Sequence, residues 1–165
     1  MNTTSLIRTE STQSRKGFTI LEIMIAIAIC LIAITGTAAY RYSAAINARQ
    51  ADFHSTAVRT ALLFCEGWNG MRGTEAFNPI GTFSADADIV ESKGHEVPDG
   101  FNKLGSYKVL LDGYSYYVTL SSQNISTDLR VLNIAVNWDP TGRNTGNYAD
   151  AIKSYQLTTY VENPI

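Results

Sequence analysis

The sequence predicts an α+β chain: one long N-terminal helix, its first half a membrane span, packed on a small antiparallel sheet of about four strands. Three observations carry this reading. Residues 18–40 are almost wholly apolar, an amphipathic helical stripe follows with no proline before Pro79, and from Ser106 the hydrophobic pattern changes to period two. A length of 165 residues fits one domain rather than two. With 45% hydrophobic and 17% charged residues, the chain as a whole is not intrinsically disordered.

Charge is unevenly laid out. Thirteen bases and fifteen acids give a formal net charge of -2. Residues 1–17 hold Arg8, Arg15, Lys16 and Glu10, a net +2, which leaves ten bases against fourteen acids, about -4, for residues 18–165. That balance gives no broad phosphate-binding face, and no nucleic-acid partner is expected.

Residues 18–40 read FTILEIMIAIAICLIAITGTAAY. As a helix they extend about 35 Å, enough to cross a hydrocarbon core of about 30 Å. The bases Arg15 and Lys16 before the run place the N-terminus in the cytoplasm and the rest of the chain across the membrane. A secretory signal peptide cut after Thr37-Ala38-Ala39 is disfavoured by the length of the run and the acid at its start. A lipoprotein signal is disfavoured because Ile29, not a small residue, precedes Cys30. A plain single-pass anchor of an extracytoplasmic binding protein is the alternative that stays open, but it gives no role to Glu22.

Glu22 is the only ionisable carboxylate or base between Lys16 and Arg41. A charged side chain costs about 2.5–3.5 kcal/mol on insertion scales at the middle of a membrane helix, and less near its edge. It therefore either snorkels to the interface or meets a cation at the same depth, and no Lys or Arg in the run supplies one.

The string Arg15-Lys16-Gly17-Phe18-Thr19-Ile20-Leu21-Glu22 resembles the class III signal of type IV prepilins and type II secretion pseudopilins. That signal has a short basic leader, then Gly, an apolar residue, Thr-Leu-x-Glu and an apolar helix; Ile20 stands where Leu is more usual. The resemblance implies that a membrane prepilin peptidase cuts between Gly17 and Phe18 and methylates the new amine of Phe18. It supplies the missing cation, since Glu22 lies four residues beyond Phe18. Opposite charges about 4 Å apart attract by roughly 4 kcal/mol at an effective dielectric of 20. In the family this Glu is thought to pair with the terminal amine of a neighbouring subunit and so set axial register. The implied partners are the peptidase, other pilin or pseudopilin subunits, and an inner-membrane assembly platform with its ATPase. The mature subunit is expected first in the inner membrane, its head outside, and then in a periplasmic or surface filament. Ala39 stands where major pilins often carry a helix-loosening Pro, a departure from the major-pilin pattern that points to a minor pilin or pseudopilin.

Beyond Tyr40 the helix is expected to continue over 41–66, with Ile46, Phe53, Ala57, Ala61, Phe64 or Cys65, and Trp68 on one apolar stripe, and Gly67 and Gly70 marking its stop. A head over 67–165 follows. Residues 67–105 carry seven of the twelve glycines together with Pro79 and Pro98, and read as a loop. The sheet is placed in 106–165. Residues 107–111 and 114–120 flank Asp112-Gly113, a two-residue hairpin signal; 129–138 alternates in period two; 152–161 supplies the last strand. Val136-Asn137-Trp138-Asp139, a Gly-bearing loop and Leu157-Thr158-Thr159-Tyr160-Val161 also resemble the tail of minor pilins of the V type and pseudopilins of the I type.

The residues suggest no catalytic constellation. Gly113-Tyr114-Ser115-Tyr116-Tyr117 lacks the second Gly of a nucleophile elbow, and His54 and His95 have no HExxH or CxxC companion. No cofactor is expected. Asp86, Asp88 and Glu91, and the loop with Asp139, Asn144, Asn147 and Asp150, offer oxygens for Ca²⁺, but solvated loops and turns account for both more simply. Cys30 and Cys65 on one helix would lie about 52 Å apart, too far for a disulfide.

Overall fold

The computed structural model describes residues 17–83, 88–142 and 147–162. The leader charges Arg15 and Lys16, together with Asp86 and Asn144, lie outside them. The chain divides into two compact units, residues 1–45 and 46–165.

One helix, α1, runs from Ile20 to Gly70. Within the first unit every described residue is exposed, including Ile20 at 80% and Ile32 at 72%. The most apolar stretch has a mean hydropathy of 2.4 and none of it is buried, so this part of the helix is long and apolar enough to cross a membrane. Thr35 donates its hydroxyl to the carbonyl of Leu31 at 2.9 Å, and Thr37 donates to Ala33 at 2.7 Å. Both hydroxyls are thus satisfied within the helix, as a lipid environment demands.

In the second unit α1 turns a stripe inward: Phe53, Ala57, Thr60, Ala61, Phe64, Cys65 and Trp68 are buried. This is the predicted stripe except at its start, where Ile46 remains 40% exposed. The helix passes through Gly67 instead of stopping there. A Cβ at that position would come within 2.6 Å of the Phe83 ring, so Gly67 gives room for a packed aromatic. The helix is closed further on by Arg72 and Gly73, both at positive φ, while Gly73 N–H returns to the Trp68 carbonyl at 2.9 Å. The Trp68 indole donates to the Thr74 carbonyl at 2.9 Å, which locks the same turn.

The sheet has five antiparallel strands in sequence order: β1 (Asp88–Glu91), β2 (Asn102–Leu111), β3 (Tyr114–Asn124), β4 (Leu129–Trp138) and β5 (Lys153–Glu162). The sequence reading expected about four. The extra strand, β1, and the first residues of β2 fall within the stretch read as loop, as does the short helix α2 (Pro79–Phe83). In β1 only Ile89 is buried, which leaves no alternation to read. In β2 the register shifts between Lys103 and Gly105, and this bulge breaks the period. The β2–β3 hairpin turns as expected at Asp112 and Gly113, with φ of 50° and 80°, the signature of a type I′ turn.

The sheet face toward α1 carries Val109, Tyr116, Val118, Leu120, Leu132, Ile134, Val136 and Trp138, which join Phe53, Ala57, Phe64 and Trp68 in one core. The rings of Trp68 and Phe77 stack at 6.1 Å, and Phe53 meets Tyr114 edge-on at 4.9 Å. Arg130, 8% exposed, donates to the carbonyl of Gly73 and to the Asn124 side chain, both at 2.8 Å, and its Nη2 lies 3.6 Å from Glu75. It fastens the turn after α1 to the start of β4.

Candidate functional site

Ile20 opens the helix because Thr19 caps it. The carbonyl of Thr19 accepts from the N–H of Ile23 at 3.2 Å, and its Oγ1 accepts from the N–H of Glu22 at 3.2 Å. With Thr19 as N-cap, Glu22 is the third helical residue, and Thr19-Ile20-Leu21-Glu22 has the spacing of a capping box. A carboxylate in the first turn also faces the positive end of the helix dipole, worth about 0.3–1 kcal/mol at exposed sites. Phe18 and Ile23 occupy the two positions of a hydrophobic staple around that cap. The charge of Glu22 is what stands out in the sequence; the capping role of Thr19 is carried only by the Thr-x-x-Glu spacing before an apolar run.

Phe18 and Glu22 line one groove with Ile23, Ala26, Ile27, Cys30 and Leu31. Among the described residues Glu22 is the only charged group on this apolar lining. Phe18 itself is 79% exposed. A Cβ built on Gly17 meets nothing within 4 Å, and Gly17 is not among the residues at positive φ. Among the described residues nothing in the fold requires glycine at 17.

Residues 12–38 match the family model of the prokaryotic N-terminal methylation motif. Over these residues the chain is similar to the N-terminal signal of type IV prepilins. The match spans Gly17, Phe18, Thr19 and Glu22. A long N-terminal helix packed on an antiparallel sheet fits the pilin-like architecture. No curated protein and no solved structure matches the chain.

Among the described residues the candidate metal ligands do not gather. Asp88 and Glu91 are three residues apart on one strand and so point to opposite faces of the sheet. Asp139 accepts from the backbone N–H of Thr141 at 2.7 Å and from its hydroxyl at 2.8 Å, which closes a turn. Asp150 ends a 3-10 turn (Tyr148–Asp150) capped by Asn147, whose Oδ1 accepts from the Ala149 N–H at 3.2 Å. Among the described residues no group of three His, Cys, Asp or Glu side chains is placed to hold a metal ion. His54 packs edge-on against Trp138 and Tyr155, at 5.9 and 5.8 Å. His95 shares a hydrogen bond of 2.8 Å with the Tyr148 hydroxyl. Cys30 is exposed and Cys65 buried, both as free thiols; burial raises the Cys65 pKa above its ordinary value, a bond from Asn69 partly offsets this, and Glu66 adds to the rise.

Proposed function

We propose that this chain is a minor structural subunit, a minor pilin or pseudopilin, of a type IV filament system. Prepilin peptidase cuts between Gly17 and Phe18, with Arg15 and Lys16 in the discarded leader, and methylates the Phe18 amine. The mature helix stays in the inner membrane with the head outside until an assembly platform and its ATPase move it into a pilus or type II secretion pseudopilus. Glu22 then meets the terminal amine of a neighbouring subunit. The work is structural; no cofactor takes part.

One observation carries the reading: the methylation motif at 12–38 covers the start of a helix whose apolar residues are all exposed as far as residue 52. Those side chains need lipid or neighbouring helices around them, and a filament core offers the second. Exchanging lipid for helix contacts gains little hydrophobic energy, which is why an external motor belongs to the proposal.

Co-expression with the peptidase and partner pilins tests it. Gly17→Arg is a clean variant, because the fold leaves space at that position. The uncut chain should remain in the membrane with a folded head and should fail to co-purify with other subunits. Equal co-purification of cut and uncut chains would instead support the membrane-anchored binding protein.

A further inference from the structure

The face of the sheet turned away from α1 is buried along β3 and β4, although its side chains are polar. Tyr117, Ser121, Asn133 and Asn137 are 3%, 1%, 4% and 2% exposed. Tyr117 Oη, Ser121 Oγ, Asn133 Oδ1 and Asn137 Oδ1 are each buried without a hydrogen-bond partner. Register explains the arrangement. Tyr117 lies directly opposite Asn137, and Ser121 lies directly opposite Asn133. Each cross-strand pair therefore joins one residue with an unpartnered hydroxyl to one with an unpartnered amide oxygen. The Asn133 amide is oriented by its Nδ2, which donates to the Thr158 hydroxyl at 3.0 Å, so its oxygen is the group left over.

Two chain segments cover part of this face. His95 N–H donates to Thr119 Oγ1 at 3.0 Å, and Gly94 lies so close to Ser106 and Thr119 that a Cβ would collide with both hydroxyls. Tyr148 sets its ring edge-on to Tyr117 at 5.3 Å and bonds to His95 at 2.8 Å, which joins the two covering segments. The cover thus satisfies Thr119, midway between the pairs, and leaves the pairs on either side unsatisfied. Four residues of strand separate them, about 13 Å.

We propose that this covered face is a two-point binding site for neutral hydroxyl groups, one between Tyr117 and Asn137 and one between Ser121 and Asn133. A hydroxyl both gives and accepts a hydrogen bond, and each pair needs one of each. An anion would be repelled by the two amide oxygens, and a metal ion would find no carboxylate among the four groups. Two charges stand near Tyr117: Lys108, opposite it in register and half-buried, and Asp150, whose carboxylate acts on the Tyr117 hydroxyl. Two sources share this chemistry: internal water, and the hydroxyls of a neutral sugar admitted when the cover lifts.

The test uses the full chain in detergent micelles. If hydroxyls bridge the pairs, Tyr117→Phe and Ser121→Ala should each lower the melting temperature by about 2–4 °C, because each leaves an amide oxygen short of its bridge. Tyr117→Phe and Asn137→Leu should also be non-additive. If the pairs are dry, both hydroxyl deletions remove an orphan and should leave the melting temperature equal or higher, which would overturn the proposal. Ser121→Ala and Tyr117→Phe decide this even if Asn137→Leu does not fold. The source is read by NMR. Water-to-amide transfer at Thr119 and Asn133 that methyl glucoside leaves unchanged assigns the site to water. Saturable shifts of those amides with the glucoside assign it to a sugar.

Discussion

Oγ1 of Thr19 accepts a hydrogen bond from the backbone N–H of Glu22 at 3.2 Å. The cap that starts the helix is therefore built on the residue after Phe18, and it closes on the one carboxylate of the apolar run. Glu22 has a local duty at the helix N-terminus and a proposed one between subunits, and substitutions separate them.

Glu22→Ala should leave insertion and head folding intact and should even ease insertion, since a charge leaves the run. Recruitment into the filament should fall. Glu22→Asp should restore part of it. Glu22→Gln keeps a side chain able to complete the capping box but carries no charge, so it should restore less. Co-purification with other pilins from each variant is the readout; a Gln variant that assembles as well as wild type would assign the residue to capping alone.

Gly73 meets two backbone requirements at once. Its φ is +65°, and a Cβ there would lie 2.5 Å from Val161 Cγ2. Gly73→Ala should cost at least about 1 kcal/mol, with strain and crowding acting together. Gly17→Ala, where a Cβ meets nothing, should be neutral for folding. Thermal melts of both variants, followed by near-UV circular dichroism, check the contrast.

Much of this was legible in the sequence because the signals were local. Asp112-Gly113 gave the hairpin through its two left-handed residues, and the spacing from Phe53 to Trp68 gave the buried stripe of α1. β1 was illegible because a four-residue strand with one buried side chain, Ile89, has no period. The second buried face of β4 was illegible for another reason. Asn133 and Asn137 alternate with Ile134 and Trp138 as in a strand with one wet face, and their cover comes from residues distant in sequence. At the N-terminus Gly17, Phe18 and Glu22 stood out by motif, whereas Thr19 was hidden within it.

Alkaline pH should loosen the head. Burial is the first cause that raises the hydroxyl pKa of Tyr107, Tyr116, Tyr117 and Tyr148. Acids nearby add to it: Glu91 at Tyr107, Asp52 and Asp112 at Tyr116, Asp150 at Tyr117 and Glu96 at Tyr148. A raised folded pKa means that the unfolded chain loses these protons first. Their contribution is thus fully present below about pH 10 and is lost as pH rises past it. The melting temperature should fall above about pH 10, less steeply in Tyr116→Phe. A wild-type melting temperature that is flat through that range would contradict the assignment.

Residues 43–165, without the apolar run, should be soluble and folded, because the buried stripe from Phe53 to Trp68 keeps its sheet. Circular dichroism should show helix and strand together. An unfolded or wholly helical fragment would mean that the sheet depends on the N-terminal unit.

The central claim is that the chain matures between Gly17 and Phe18. Mass spectrometry of the N-terminal peptide, after co-expression with prepilin peptidase, tests it most directly. The account predicts a mature chain that begins with N-methyl-Phe18 and is absent when the peptidase is omitted. A mature N-terminus at Tyr40 would show a secretory signal peptide, and a chain that keeps its leader in the presence of active peptidase would contradict the account outright.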